Sequence, residues 1–232
     1  MTQGVLHGLG LGPGDPELVT LKAVRLLRAV PVVAYPSPET GDSFARSIVA
    51  EFLSATQREV RIAFPMRPGP PPHTIYDAAA ATLAAELDRG EDVAFLCQGD
   101  PFFYGTFAAI FTRLAPRYRV EVVPGVSSLT ACAAAAGTPL AQRDETVTVI
   151  PATLGEGELA RRLAVAETAA VIKLGRHVGK LRRVLAALGR LDEAIYVERA
   201  TQARQRVARL AEIEADSVPY FALALVRGAS GK

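Results

Sequence analysis

Three stretches of this chain combine residue types that can hold a ligand without large side chains. They are Gly8-Leu9-Gly10-Leu11-Gly12-Pro13-Gly14-Asp15-Pro16, Gln98-Gly99-Asp100-Pro101-Phe102-Phe103-Tyr104-Gly105-Thr106 and Val123-Pro124-Gly125-Val126-Ser127-Ser128. Glycine allows close backbone approach and positive φ. Asp and Ser either cap a following helix or present polar groups to a ligand. On the residues alone both readings of Asp100 stand: N-cap with Pro101 at the first helical position, or ligand contact. The same choice stays open for Ser127 and Ser128 before an alanine-rich segment. In either reading this is chemistry of backbone contact and positioning.

Other chemistries find little support. The only cysteines, Cys97 and Cys132, form no CxxC pair, and His7, His73 and His177 lack metal-ligand spacing. Neither a disulfide framework nor a metal site is expected. The first glycine stretch reads GxGxGPGD, so Pro13 stands where a dinucleotide fingerprint needs its third glycine. No Gly-Lys-Ser/Thr follows, which argues against a triphosphate loop.

The elements that must carry these loops alternate. Val5 to Leu11 reads as a strand, Leu18 to Arg28 as a helix with Leu18, Leu21, Val24 and Leu27 at helical spacing. Pro31–Tyr35 and Val60–Phe64 read as strands around an amphipathic helix over 43–52. Five prolines over 65–72 exclude regular structure there. A helix over 74–89 leads to the strand Val93–Leu96 and the Asp100 loop. Arg119–Val123 is a fifth strand, entering a small-residue helix over 129–136. Beyond a boundary near 138–146, strands are expected at 147–150, 169–174, 195–198, 205–208 and 220–226, and helices at 156–164 and 177–188. Strand–helix alternation predicts an α/β fold with a mainly parallel sheet covered on both faces.

Composition narrows the function class. Of 232 residues, half are hydrophobic and 22% charged, which fits a globular protein with a substantial core. A net charge of +2 lacks the concentrated basic surplus of a nucleic-acid binder. The N-terminus has no basic n-region, so it does not read as a signal peptide. The longest uncharged run, 122–142, is broken by Pro124, Gly125, Gly137 and Pro139, which argues against a membrane span. A cytoplasmic location is expected.

Together and in this order, the GLGPGDP-type loop, GDPFFYGT and VPGVSS resemble the motifs of the tetrapyrrole methylase family. Longer matches at 35–49, 98–107, 123–153, 172–181, 196–207 and 219–226 extend the resemblance over essentially the whole chain. One departure is Phe221-Ala222-Leu223, where Phe-Ser-Leu is expected. The resemblance implies two α/β domains, 1–140 and 141–232, with a mainly parallel sheet in the first, a mixed sheet in the second and a cleft between them. It also implies a homodimer that uses S-adenosylmethionine to methylate a tetrapyrrole, with no metal required by the protein and neither nucleic acid nor membrane as partner.

Residue by residue, the resemblance implies cofactor contacts at Pro13, Gly99, Asp100, Phe103, Ser127, Ser128, Leu174 and Ala200. Gly99 would admit the cofactor's amino-acid end, and Asp100 would favour its α-ammonium. Leu174 and Ala200 would act largely through backbone near the adenine, or are plain core. A carboxylate-rich macrocycle calls for Arg forks, for which Arg46, Arg67, Arg143 and Arg176 lie in or beside matching segments. Methyl transfer from a sulfonium needs positioning and exclusion of water more than strong acids. The base that takes a proton from the methylated carbon stays open among Tyr104, Glu198 and water.

Overall fold

The computed structural model describes residues 3–64, 72–214 and 216–228. The chain divides into two compact units, Met1–Ser127 and Ser128–Lys232.

The first unit is built on five parallel strands: β1 (Leu6–Gly10), β2 (Val32–Ser37), β3 (Arg58–Ala63), β4 (Val93–Cys97) and β5 (Val120–Val123). Their order is β3-β2-β4-β1-β5. Helices α1 (Leu21–Ala29) and α2 (Phe44–Ile48) cover one face, and α3 (His73–Asp88) and α4 (Phe107–Leu114) the other. Alternation along each strand sorts the core accordingly. Val33, Tyr35, Leu9 and Leu96 pack with α1 and α2, whereas Val32, Ala34, Leu6 and Phe95 pack with α3 and α4. All five residues of β4 are buried, as a strand covered on both faces requires. Burial of each large apolar side chain contributes roughly 1.5–3 kcal/mol.

Local signals set the helix ends. Thr20 caps α1 by accepting from Ala23 N at 3.2 Å, and Ser43 caps α2 by accepting from Arg46 N at 3.3 Å. The amphipathic run over 43–52 is not one helix. It splits into α2 and a 3-10 turn, Ala50–Phe52, because Val49 leaves helical geometry.

The second unit has a mixed sheet in the order β6-β7-β10-β8-β9. Its strands are β6 (Val147–Pro151), β7 (Thr168–Ile172), β8 (Ala194–Glu198), β9 (Arg206–Arg209) and β10 (Ala222–Arg227). Among the described residues, only β6 and β7 pair in parallel there; β10 runs antiparallel to both β7 and β8, so those two end at the same edge. Helices α6 (Glu156–Val165) and α7 (Val178–Ala187) bury Leu159, Leu163, Leu181 and Leu185 against this sheet. The small-residue helix α5 (Ser128–Ala135) lies against β8. Ser127–Ser128 is thus the division between the units, ahead of α5, whereas the sequence reading puts its boundary after that helix.

Among the described residues, no helix is long and apolar enough to cross a membrane.

Candidate methyl-donor site

The strand order makes neighbours of β4, β1 and β5, and all three run the same way. Their three Gly/Pro loops therefore leave one edge of the sheet side by side, outside its carboxyl ends, where open α/β sheets bind ligands.

The loops are tied together by backbone. Leu11 N donates to Cys97 O at 2.9 Å. Gly12 and Gly99 form an isolated antiparallel bridge, Gly99 N to Gly12 O at 2.8 Å and Gly12 N to Gly99 O at 3.3 Å. Both glycines have positive φ, +74° and +70°, which explains the residue type at each. The third loop packs closer still. A Cβ on Gly125 would lie 2.2 Å from Gly99 O.

Asp100 links the second loop to the third. Its Oδ1 accepts from Phe102 N at 2.9 Å and its Oδ2 from Gly125 N at 3.1 Å. This corrects the helix-cap reading. Residues 101–104 form turns and bends, and α4 begins only at Phe107, after Thr106. Tyr104 at φ 55° breaks any helical continuation from Pro101. Asp100 closes a turn instead, and a carboxylate's remaining lone pairs can still receive a cation.

Phe103 is half-buried, donates its N–H to Asp100 O at 3.3 Å and meets the Tyr104 ring edge-on at 5.0 Å. Pro13 is buried directly after the Gly12–Gly99 bridge, and Ser127 is half-buried after Gly125. Among the described residues, a Cβ added at Gly99 would meet nothing within 4 Å, so open space adjoins backbone at that point. Burial pushes the Cys97 thiol well above its ordinary range, so it stays protonated under this edge.

The other expected site residues fall differently. Ser128 is exposed at the first position of α5. Leu174 and Ala200 follow β7 and β8 at their shared edge, and both residues are buried, at 0% and 5% exposure. The neighbouring Lys173, Arg199 and Thr201 all have positive φ, at 59°, 49° and 68°. Sequence reading missed these strained positions, because no residue type in them signals a left-handed backbone.

Arg143 and Arg176 are exposed. Arg67 lies outside the described residues. Arg46 is not an idle surface fork: its Nε and Nη2 donate to the two carboxylate oxygens of Glu59 at 2.6 and 2.7 Å. That bidentate pair holds the Glu59 carboxyl below its ordinary range. Of the two side chains considered as bases, Tyr104 is half-exposed. Glu198 accepts the hydroxyl of buried Tyr196 and lies 3.5 Å from the Arg199 guanidinium, so its oxygens are already engaged. Among the described residues, no group of three or more His, Cys, Asp or Glu is placed to hold a metal ion.

Comparison with known proteins gives a consistent picture. The family model for tetrapyrrole (corrin/porphyrin) methylases matches residues 5–214. The chain is 44% identical over 235 residues to the cobalamin biosynthesis protein CobIJ of Mycobacterium tuberculosis H37Rv, covering 97% of this chain and 46% of that protein. It thus spans about half the length of that relative. It is 43% identical over 234 residues to the precorrin-2 C(20)-methyltransferase of a Sinorhizobium species, covering 97% of this chain and 96% of that enzyme. A solved structure, uroporphyrin-III C-methyltransferase from Thermus thermophilus complexed with S-adenosylhomocysteine, matches with a TM-score of 0.71 at 30% identity over 97% of both chains.

Proposed function

This chain belongs to the tetrapyrrole methylases, and on that premise we propose that it methylates carbon 20 of precorrin-2 in cobalamin biosynthesis, giving precorrin-3A. The observation that carries the donor site is the convergence of three backbone-bonded loops on β4, β1 and β5, open beside Gly99. The acceptor is inferred from the near full-length likeness to the Sinorhizobium enzyme.

S-adenosylmethionine supplies an electrophilic methyl group on a sulfonium. In our reading Gly99 brings bare backbone against its amino-acid end, and the Asp100 carboxylate favours the α-ammonium there. Phe103 contributes an apolar wall, with Pro13, Ser127 and Ser128 bordering the same ligand. Leu174 and Ala200 contribute backbone, their side chains being core. Fixed backbone donors and acceptors cost no reorganisation as charge on sulfur is lost. The bond from sulfur to methyl breaks as the bond from methyl to carbon forms, and the proton displaced from that carbon passes to a base, for which Tyr104, Glu198 and water are the candidates.

Arg46, Arg67, Arg143 and Arg176 belong to the proposal as contacts for the macrocycle's carboxylates. A homodimer in the cytoplasm completes it.

The test is incubation with methyl-labelled S-adenosylmethionine and precorrin-2, metal-free in one arm and cobalt-bound in the other, followed by product mass. The expected product is one methyl group heavier with label in the ring. No mass gain in either arm overturns the reading, and gain only in the cobalt arm reassigns the substrate form.

A further inference from the structure

The first unit has an open depression of about 350 Å³ that its glycine loops do not use. It lies where β2 ends, and its lining includes Tyr35, Ser37, Asp42, Arg46 and Arg61. Because β2 runs parallel to β4 and pairs with it, the depression opens at the same sheet edge as the Asp100 loop.

Its lining brings the guanidinium groups of Arg46 and Arg61 together with one carboxylate, Asp42. Tyr35 and Arg61 are partners in the β2–β3 register, and Glu59 lies two residues before Arg61 on the same face. Arg46 reaches that face from α2 and is held by Glu59. Arg61 uses one nitrogen, Nη2, to bond the carbonyls of Pro38 at 2.7 Å and Gly41 at 3.0 Å. Among the described residues its Nε and Nη1 have no hydrogen-bond partner. A guanidinium anchored at one nitrogen keeps its remaining edge in a fixed orientation, which lowers the entropic cost of receiving a ligand. Arg46 is already paired with Glu59, so the guanidinium left to a ligand is that of Arg61. The one lining carboxylate, Asp42, forms no ion pair with it among the described residues, and the Ser37 hydroxyl donates to Pro38 O and carries no charge.

We propose that this depression is a subsite for one carboxylate arm of the tetrapyrrole, with Arg61 as the receiving fork and the Glu59-paired Arg46 as a fixed wall beside it. The assignment rests on the function proposed above. It makes Arg61, which lies outside the family motifs, a residue that determines substrate affinity and orientation. The volume accommodates an acetate or propionate arm with several waters, each of which takes about 30 Å³. Arg61 anchors to the 38–41 segment through backbone carbonyls, so a Lys there retains charge but loses the planar fork.

Fluorescence titration with sirohydrochlorin, the oxidised form of precorrin-2, tests the subsite on the full chain. Arg61→Gln is expected to weaken binding about tenfold, the scale of one charge-assisted hydrogen bond. Its affinity for S-adenosylhomocysteine by calorimetry is expected to match wild type, which also reports a folded protein. Wild-type affinity should fall with added salt more steeply than that of the variant, which a purely structural role for Arg61 would not produce. Equal sirohydrochlorin affinity and equal salt dependence in variant and wild type overturn the subsite alone. Failure of the wild type to bind or methylate any tetrapyrrole overturns the proposed function, and the subsite with it. If Arg61→Gln loses S-adenosylhomocysteine binding as well, the subsite is rejected in favour of a structural role for the residue.

Discussion

Gly125 donates its backbone N–H to Asp100 Oδ2 at 3.1 Å, while its Cα leaves no space for a side chain against Gly99 O. One bond and one close approach therefore fix the third loop on the second. Gly125→Ala would put a Cβ 2.2 Å from Gly99 O and 2.8 Å from the Cα of Gly10. These neighbours are backbone and cannot turn aside. A stability loss of about 1–3 kcal/mol is expected, together with loss of S-adenosylhomocysteine binding, measured by denaturation and calorimetry. Near-normal stability and affinity would show that the loops separate without consequence.

Asp100→Asn tests the link from the other side. The amide has one acceptor oxygen, so either Phe102 N or Gly125 N must face an NH2 group. Cofactor affinity is expected to drop at least as far as in Asp100→Ala, by about tenfold or more, the range of a lost hydrogen bond to a charged group. An Asn variant that binds like wild type would remove both the loop link and the proposed ammonium contact from the account.

Much of this unit is legible in the sequence, and the remainder has identifiable causes. Val93–Leu96 announces a buried strand by composition, and the Ala-rich run before it announces α3. The loops declare themselves through Gly and Pro. What local pattern does not contain is the order β4-β1-β5, which is set by crossovers and brings three separated loops to one edge. The partner of Asp100 follows from that order, so its cap-like appearance misleads. The Arg46–Glu59 pair likewise depends on β3 lying beside β2, and the unpaired edge of Arg61 depends on the fold of 38–41.

Glu86 offers a stability test remote from the site. Its carboxylate on α3 is largely buried and pairs with Arg58 Nη1 at 2.6 Å and Arg89 Nη1 at 3.0 Å. The hydrogen bond from Arg58 holds its pKa below the ordinary 4.5. That stabilisation is present above pH 4.5 and disappears as pH falls through the depressed value. Glu86→Gln should therefore cost about 1–2 kcal/mol at pH 7, with the difference from wild type shrinking as pH falls below 4.5. Urea denaturation at pH 7 and near pH 3.5 measures both terms. A pH-independent difference would contradict the ion-pair origin.

His7 should make stability pH-dependent at higher pH. It is 6% exposed on β1, and its Nδ1 sits 3.4 Å from Glu121 Oε2, which is too poorly placed for a hydrogen bond. Burial lowers its pKa from 6.5, against the opposing pull of Glu121 and Asp92 and with a smaller push from Arg119. Protonation then favours the unfolded chain, so stability is retained above 6.5 and lost as pH falls below it. Between pH 7.5 and about 5.5 the melting temperature should fall more in wild type than in His7→Gln. His177, also lowered by burial, leaves a smaller residual slope in the variant. Identical slopes would exclude His7 as a contributor.

The most direct measurement of the central claim is single-turnover transfer of a labelled methyl group to precorrin-2, comparing wild type with Asp100→Ala at saturating tetrapyrrole. The account predicts transfer by wild type, giving a product one methyl group heavier, and a much lower rate in the variant at limiting donor. Unchanged transfer by Asp100→Ala would contradict the assigned donor site, and no transfer by wild type to either the metal-free or the cobalt-bound ring would contradict the function itself.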